Sequence, residues 1–274
     1  MRVMFLGDLV GRSGREAVFE QVPHLRQQLA LDFVVVNAEN AAGGFGLTES
    51  ICFELFDAGV DVITSGNHIW DQKTSHEFID AETRVLRPIN YPSTAPGRGY
   101  GLFDSQSGHR VLVVNAMARV FMEPLDDPFA GVERALASVL LGSDCDFALV
   151  DFHGEATSEK MAMGHFVDGR ASLCVGTHSH VPTADAQILD GGTAYQTDAG
   201  MCGDYNSVIG MDPQEPLQRF TRKISSGRFI PAQGAATVCG VVVESDEKTG
   251  LALSIEPVRI GGRLKEVIPS LVTS

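Results

Sequence analysis

The sequence predicts an α/β fold with two layers of β-sheet. Three observations lead there. Continuous apolar strands alternate with amphipathic helices through the first third, which indicates a largely parallel sheet covered on both faces. Pairs of strands joined by short polar turns then bring antiparallel pairing into the middle and the C-terminal part. Polar residues of a narrow chemical range also gather where the apolar strands end, as expected when several strands point their carboxyl ends at one rim.

The elements follow in order. "VMFLGD" reads as a strand, and the segment after Ser13 as a helix with Val18, Val22, Leu25 and Leu29 on one face. "DFVVVNAEN" is the second strand, "TESICFELFDAG" a helix stopping at Gly59, and "VDVITSGNH" the third strand. "YGLFDSQSGHRVLVVNAM" gives two strands about the turn "SQSGH". A helix around "FAGVERALASVLLG", the strand "DFALVDFHG", a helix through "SEKMAMGHFVDG" and the strand "ASLCVGTHSH" come next. "ADAQIL" pairs with "TAYQTDAG", and after a polar stretch "ATVCGVVVES" pairs with "GLALSIEPVRI" across "DEKTG". With no internal repeat, low-complexity run or linker, residues 1–274 read as one domain.

Composition narrows the function. A 44% hydrophobic and 20% charged chain buries a sizeable core. The formal charge of −14 argues against general nucleic-acid or anionic-membrane binding, since both select basic faces. It leaves room for one small phosphate-bearing substrate, because a bound cation reverses the local sign of a site. Cys52, Cys145, Cys174, Cys202 and Cys239 are odd in number, widely spaced and free of CxxC pairs, so they read as buried thiols in a reducing compartment. The N-terminus lacks a signal-peptide layout and no apolar run is long enough to span a bilayer, so the expected location is the cytoplasm.

The strand ends carry the chemistry. Asp8 closes the first strand, Glu39 and Asn40 the second, Asn67 and His68 the third; His153 ends "DFALVDFH", and His178 and His180 end "SLCVGTHSH". Each has a plainer reading alone: a helix cap for Asp8, a turn for Asn40, a hydrogen-bonded core imidazole for His153. Together those readings fail, because four of the eight histidines fall at only three strand ends, beside two carboxylates and two carboxamides. His178 and His180, two apart, face one side if the strand is regular. Imidazole mixed with carboxylate and amide oxygen suits Mn, Fe or Zn. Seven candidate ligands (Asp8, Glu39, Asn40, Asn67, His153, His178 and His180) exceed the needs of one ion and match two that share a bridge.

Other motifs carry less. "GDLVGRSGRE" has neither the Walker A ending nor the dinucleotide glycine spacing, and no serine-nucleophile elbow is present. The methionines of "EKMAMGHF" read as core, His165 as a helix-face residue, and His24, His76 and His109 as unassigned. Arg12, Arg15, Arg119 and Lys160 lie in or near motifs without an assigned role.

The series "GDLVGRSGR", "NAENAAGGFG", "TSGNHIWD", "DFHGEATSEK", "GTHSHVPTAD" and "TDAGMCGDYNSVIGM" resembles the bacterial YmdB-like branch of the calcineurin-like metallophosphoesterases, in order and over nearly the whole chain. The resemblance implies a four-layer αββα sandwich with two mixed sheets. It also implies two divalent or mixed-valence transition-metal ions, Fe or Mn before Zn, and hydrolysis of phosphodiesters including 2′,3′-cyclic nucleotides. On the matching positions it implies Asp8, Asn40 and His180 at one metal, and Asn67, His153 and His178 at the other. Glu39 would be the bridge, with His68 as the acid that protonates the leaving oxygen. Val10 stands where the wider superfamily has a histidine, and Glu39 where it has an aspartate.

The expected reaction is in-line attack on phosphorus by a hydroxide bridging the two metals. The expected partner is a small phosphodiester or cyclic nucleotide, with no membrane and no general nucleic-acid binding; a homo-oligomer is compatible with the sequence. Two other readings stay open: a regulatory nucleotide- or partner-binding protein with incidental hydrolysis, and a phosphomonoesterase.

Overall fold

The computed structural model describes residues 1–270. The N-terminal part runs β1 (Arg2–Leu6), β2 (Asp8–Leu9), α1 (Gly11–Gln28), β3 (Phe33–Asn37), α2 (Glu49–Asp57), β4 (Val62–Thr64) and α3 (Ser75–Ala81). The middle runs β5 (Tyr100–Asp104), β6 (Arg110–Met117), α4 (Pro128–Ser138), β7 (Phe147–His153), α5 (Thr157–Val167), β8 (Leu173–Thr177), β9 (Gln187–Ile188) and β10 (Ala194–Gln196). The chain finishes with β11 (Met201–Asp204), α6 (Gln214–Arg222), β12 (Ala236–Ser245) and β13 (Ala252–Ile260).

Two mixed sheets result. One has the order β2-β11-β12-β1-β3-β4, with β13 also paired to β12; the other has the order β5-β6-β7-β8-β10-β9. In the first, β1, β3 and β4 are parallel and β12 runs against β1. In the second, β6, β7, β8 and β10 are parallel, while the edge strands β5 and β9 are antiparallel to their neighbours.

Period-2 alternation builds the layers, because successive strand side chains point to opposite faces. Val3, Phe5, Phe33 and Val35 of the first sheet pack against Val111, Val113, Phe147, Leu149 and Val175 of the second. The intervening residues Met4, Leu6, Val34 and Val36 turn the other way, onto Val18, Val22 and Leu25 of α1 and Leu55 of α2. On the far side, Leu112, Val114, Ala148 and Val150 meet Val132 and Leu136 of α4 and Met163 of α5. These strands are buried on both faces, so they read as continuous apolar runs, and each buried side chain contributes roughly 1.5–3 kcal/mol. The order helix, sheet, sheet, helix is the αββα sandwich that the resemblance implies.

The structure shifts several boundaries. The first helix begins at Gly11 with Val10 at its N-cap, so Asp8 caps nothing. β3 stops at Asn37 and β4 at Thr64, which puts Glu39, Asn40, Asn67 and His68 in the turns beyond the strands. β8 stops at Thr177, and His178 and His180 follow it with φ of 99° and 63°. Their common orientation therefore does not come from strand periodicity, as their spacing suggested, but from a left-handed turn. α3, α6 and β11 are additions to the sequence reading. Of the two helix methionines, Met163 is core and Met161 is exposed. All five cysteines are free and buried. Among the described residues no helix is long and apolar enough to cross a membrane.

Candidate metal centre

Parallel pairing places the site. The carboxyl ends of β1, β3 and β4 lie side by side in one sheet, those of β7 and β8 in the other. The polar residues just beyond them converge. His153 Nε2 lies 3.2 Å from Glu39 Oε1, 3.0 Å from Asn67 Oδ1 and 3.1 Å from His178 Nδ1. Its Nδ1 is 3.7 Å from Asp8 Oδ1, and His180 Nε2 is 3.9 Å from that same oxygen. The His178 amide donates to Asp8 Oδ2 at 3.0 Å. Glu39, His153 and His178 each offer a donor atom within 4.8 Å of the others, enough for one ion among them.

The backbone makes room for this crowding at Gly66. A Cβ there would collide with the His153 ring and stand 2.5 Å from Glu39 Oε2, so only glycine fits between Ser65 and Asn67. Asn40 occupies the same turn as Glu39. Its Nδ2 donates to the Gly44 carbonyl at 3.0 Å, and its side chain makes no hydrogen bond to the other seven predicted residues.

Two of the three imidazoles are oriented by a hydrogen bond on the outer nitrogen. His180 Nδ1 is 2.8 Å from the Ile209 carbonyl, which only accepts, so Nδ1 carries the proton and Nε2 the lone pair. His153 Nδ1 is 2.9 Å from Thr177 Oγ1, whose own hydroxyl donates to Asp151 Oδ1 at 2.7 Å, so His153 donates outward as well. His178 turns Nδ1 inward to His153, while its Nε2 lies 3.5 Å from Glu155 Oε2 at the rim. Such outer partners are the usual means of fixing a ligand histidine.

The donor set fits cations. Among the described residues, Asp8 Oδ1 and Asn40 Oδ1 are buried acceptors without a hydrogen-bond partner, a burden of roughly 1–3 kcal/mol each if nothing binds them. His153 Nε2 faces two oxygen acceptors and another ring nitrogen, more lone pairs than one proton can serve. Electrostatics agree. Burial opposes charge on His153, yet Glu39, followed by Asp8 and Asp151, pushes its pKa up to about 9. Burial likewise opposes charge on Glu39, but His153 and then His68 hold it down to about 2. Burial and the neighbouring His153 charge drive His178 down to about 3. Burial raises Asp8. Without a cation the cluster thus retains a proton on His153, and a dication would take over that role.

His68 stands apart from the other histidines. Its amide donates to Glu39 Oε2 at 2.9 Å, while its ring Nδ1 lies 2.7 Å from Asp71 Oδ2 and packs edge-on against Phe45 at 5.0 Å. Sequence reasoning missed Asp71, Thr177, Asp151 and Asp198, and left Asn37 unassigned. Asn37 is buried and bonds Asp151 Oδ2 at 2.9 Å, while its Oδ1 accepts from the Glu39 amide. Asp71 sits three residues from its partner His68 inside the same motif and could have been found there, whereas Thr177, Asp151 and Asp198 bond partners distant in sequence. Val10 packs with Met201 and Met211 in a small apolar cluster.

A two-sheet αββα sandwich with this carboxylate, carboxamide and imidazole cluster at its strand ends has the architecture of the metallophosphoesterases. Within that class, the chain belongs to the YmdB-like protein family, whose family model matches residues 4–258. It is 44% identical over 260 residues to the 2′,3′-cyclic-nucleotide 2′-phosphodiesterase of Bacillus subtilis (strain 168), covering 95% of this chain and 97% of that protein. It is 35% identical over 268 residues to a putative phosphatase/phosphodiesterase of Mycoplasma genitalium, covering 95% and 93%. Among solved structures, a hypothetical protein from Thermus thermophilus superposes with a TM-score of 0.88 at 41% identity, covering 96% of this chain and all of that one. A novel phosphatase from Mycoplasma pneumoniae superposes with a TM-score of 0.87 at 34% identity, covering 95% and 93%.

Proposed function

We propose that the protein is a dimetal-dependent phosphodiesterase that hydrolyses small phosphodiesters, 2′,3′-cyclic nucleotides among them. The observation that carries the metal reading is the convergence of one ring nitrogen from each of His153, His178 and His180 on the buried carboxylates, together with the orphaned oxygens of Asp8 and Asn40. The name of the 44% identical Bacillus relative supports the substrate class. Asn67, His153 and His178 would hold one ion and Asp8, Asn40 and His180 the other, with Glu39 between them. Imidazole-rich donors favour Fe or Mn, then Zn, over a purely oxygen-seeking ion. When bound, such ions supply charge to neutralise the phosphate and to acidify a water.

The remaining roles fall to side chains. His68 turns Nδ1 to Asp71, and in the imidazolium form, with Nδ1–H held by that carboxylate, its Nε2–H would protonate the departing ribose oxygen and leave the ring neutral. Phe45 and the Glu39 contact to its backbone hold that ring in place. Ring opening of a 2′,3′-cyclic phosphate leaves a nucleoside monophosphate. The acidic overall balance and the five buried, free cysteines support a small-molecule substrate and a cytoplasmic location.

The test is a panel of 2′,3′-cyclic nucleotides, linear diesters and monoesters, assayed on protein loaded with Mn²⁺ or Fe²⁺. Turnover should be highest on cyclic diesters. Turnover confined to monoesters would replace the reading with a phosphatase, and negligible turnover at full metal loading with a regulatory binder.

A further inference from the structure

Lys160 lies on α5 and is only 2% exposed, a rare position for a lysine unless it is paired. Its Nζ donates to Asp198 Oδ2 at 2.8 Å, and Asp198 is fully buried. Exchanging such a pair for apolar residues is often neutral or stabilising, so the pair is poorly explained by stability alone. The second sheet accommodates it at Gly176, where a Cβ would lie 2.8 Å from Lys160 Cδ.

What Asp198 holds on its other side supplies a reason. Its Oδ2 also accepts from the Ser179 amide at 3.0 Å and the Ser179 hydroxyl at 2.7 Å. Ser179 is the residue between His178 and His180, both in the left-handed region where side chains other than glycine are strained. Asp198 Oδ1 accepts from the Gly200 amide at 2.9 Å. The Gly200 carbonyl accepts from the Asp8 amide at 3.1 Å, and Asp8 Oδ2 accepts from the His178 amide at 3.0 Å. A closed ring of hydrogen bonds thus ties the buried ion pair to residues from both halves of the centre.

We propose that Lys160 and Asp198 are positioning residues: the pair clamps Ser179 so that the strained turn holds His178 and His180 aimed at the two metal positions. Neither touches substrate. Lys160 neutralises the carboxylate that grips the turn, and without it the grip on Ser179 weakens and the histidines relax away from the centre. The inference rests on the dimetal reading above.

The experiment titrates Mn²⁺ into metal-stripped full-length protein by calorimetry, alongside the melting temperature of the stripped form. Four chains are compared: wild type, Lys160→Met, Ser179→Ala and Arg26→Met. Arg26 pairs with Asp61 at 2.6 Å away from the centre and serves as the control for simple destabilisation. Lys160→Met should weaken Mn²⁺ binding by roughly 10–100-fold, the usual loss when a residue behind a metal ligand is removed. Ser179→Ala deletes one donor to Asp198 and keeps the ion pair; it should show a smaller loss in the same direction, and it carries the test should Lys160→Met not fold. Arg26→Met should lower the melting temperature and bind Mn²⁺ as wild type does. Wild-type affinity in Lys160→Met or in Ser179→Ala would overturn the clamp, as would an affinity loss in Arg26→Met matching its loss of melting temperature. A wild-type chain that takes up no Mn²⁺ would sink the dimetal reading, and the clamp with it.

Discussion

Glu39 and His68 come within hydrogen-bond reach of one another, yet their substitutions should behave differently. Glu39 is buried at the centre of the cluster, and its carboxylate meets both His153 and the His68 amide. Glu39→Gln should therefore remove bound metal and activity together. His68 gives the cluster only its amide and keeps its ring for Asp71. His68→Ala should keep the metal content and lower turnover by roughly 10²–10⁴-fold, the range typical of a lost general acid. Metal analysis beside turnover separates the two, and equal metal loss in both variants would remove the distinction. At this scale the convergence was legible, since His153 lies within 3.2 Å of Glu39, Asn67 and His178, and one oxygen of Asp8 lies between His153 and His180. What the sequence withheld was the outer partners. Thr177 of β8, itself bonded to Asp151, reaches His153, and Ile209 reaches His180, from parts of the chain that only the fold brings near.

Elements built on apolar periodicity were legible because both faces of β1, β3, β6, β7 and β8 are buried, which makes a run hard to mistake. Their ends were less so: strand pairing stops at Asn37 and Thr177, where the chain leaves the sheet to present Glu39 and His178. α6 was missed because polar groups rather than an apolar face fix its start. Glu215 accepts from Ser226, from Arg219 Nε at 2.7 Å and from Ser225, and these bonds hold its carboxyl down to about 2. A carboxylate depressed from its ordinary value contributes stability that is present above about pH 4.5 and lost as pH falls through about 2. Glu215→Gln at neutral pH should thus release the segment from 214 to 228, seen as faster amide exchange there than in β12. Unchanged exchange would mean that these bonds do not anchor the helix.

Over the whole molecule, the function depends on two sheets presenting the carboxyl ends of their strands at the same place. The pattern of polar residues after apolar strands predicted one rim; which strand comes from which sheet could not be read from it. β1, β3 and β4 deliver Asp8, Glu39, Asn40 and Asn67 from the first sheet, while β7 and β8 deliver His153, His178 and His180 from the second. Oxygen donors therefore come from one sheet and nitrogen donors from the other, and the centre closes only when the sandwich does. The most direct test is anomalous X-ray scattering from crystals of the Mn²⁺-loaded protein. We predict two peaks per chain, one beside Asn67, His153 and His178 and one beside Asp8, Asn40 and His180, with Glu39 between them. A single peak, or peaks away from these residues, would contradict the account.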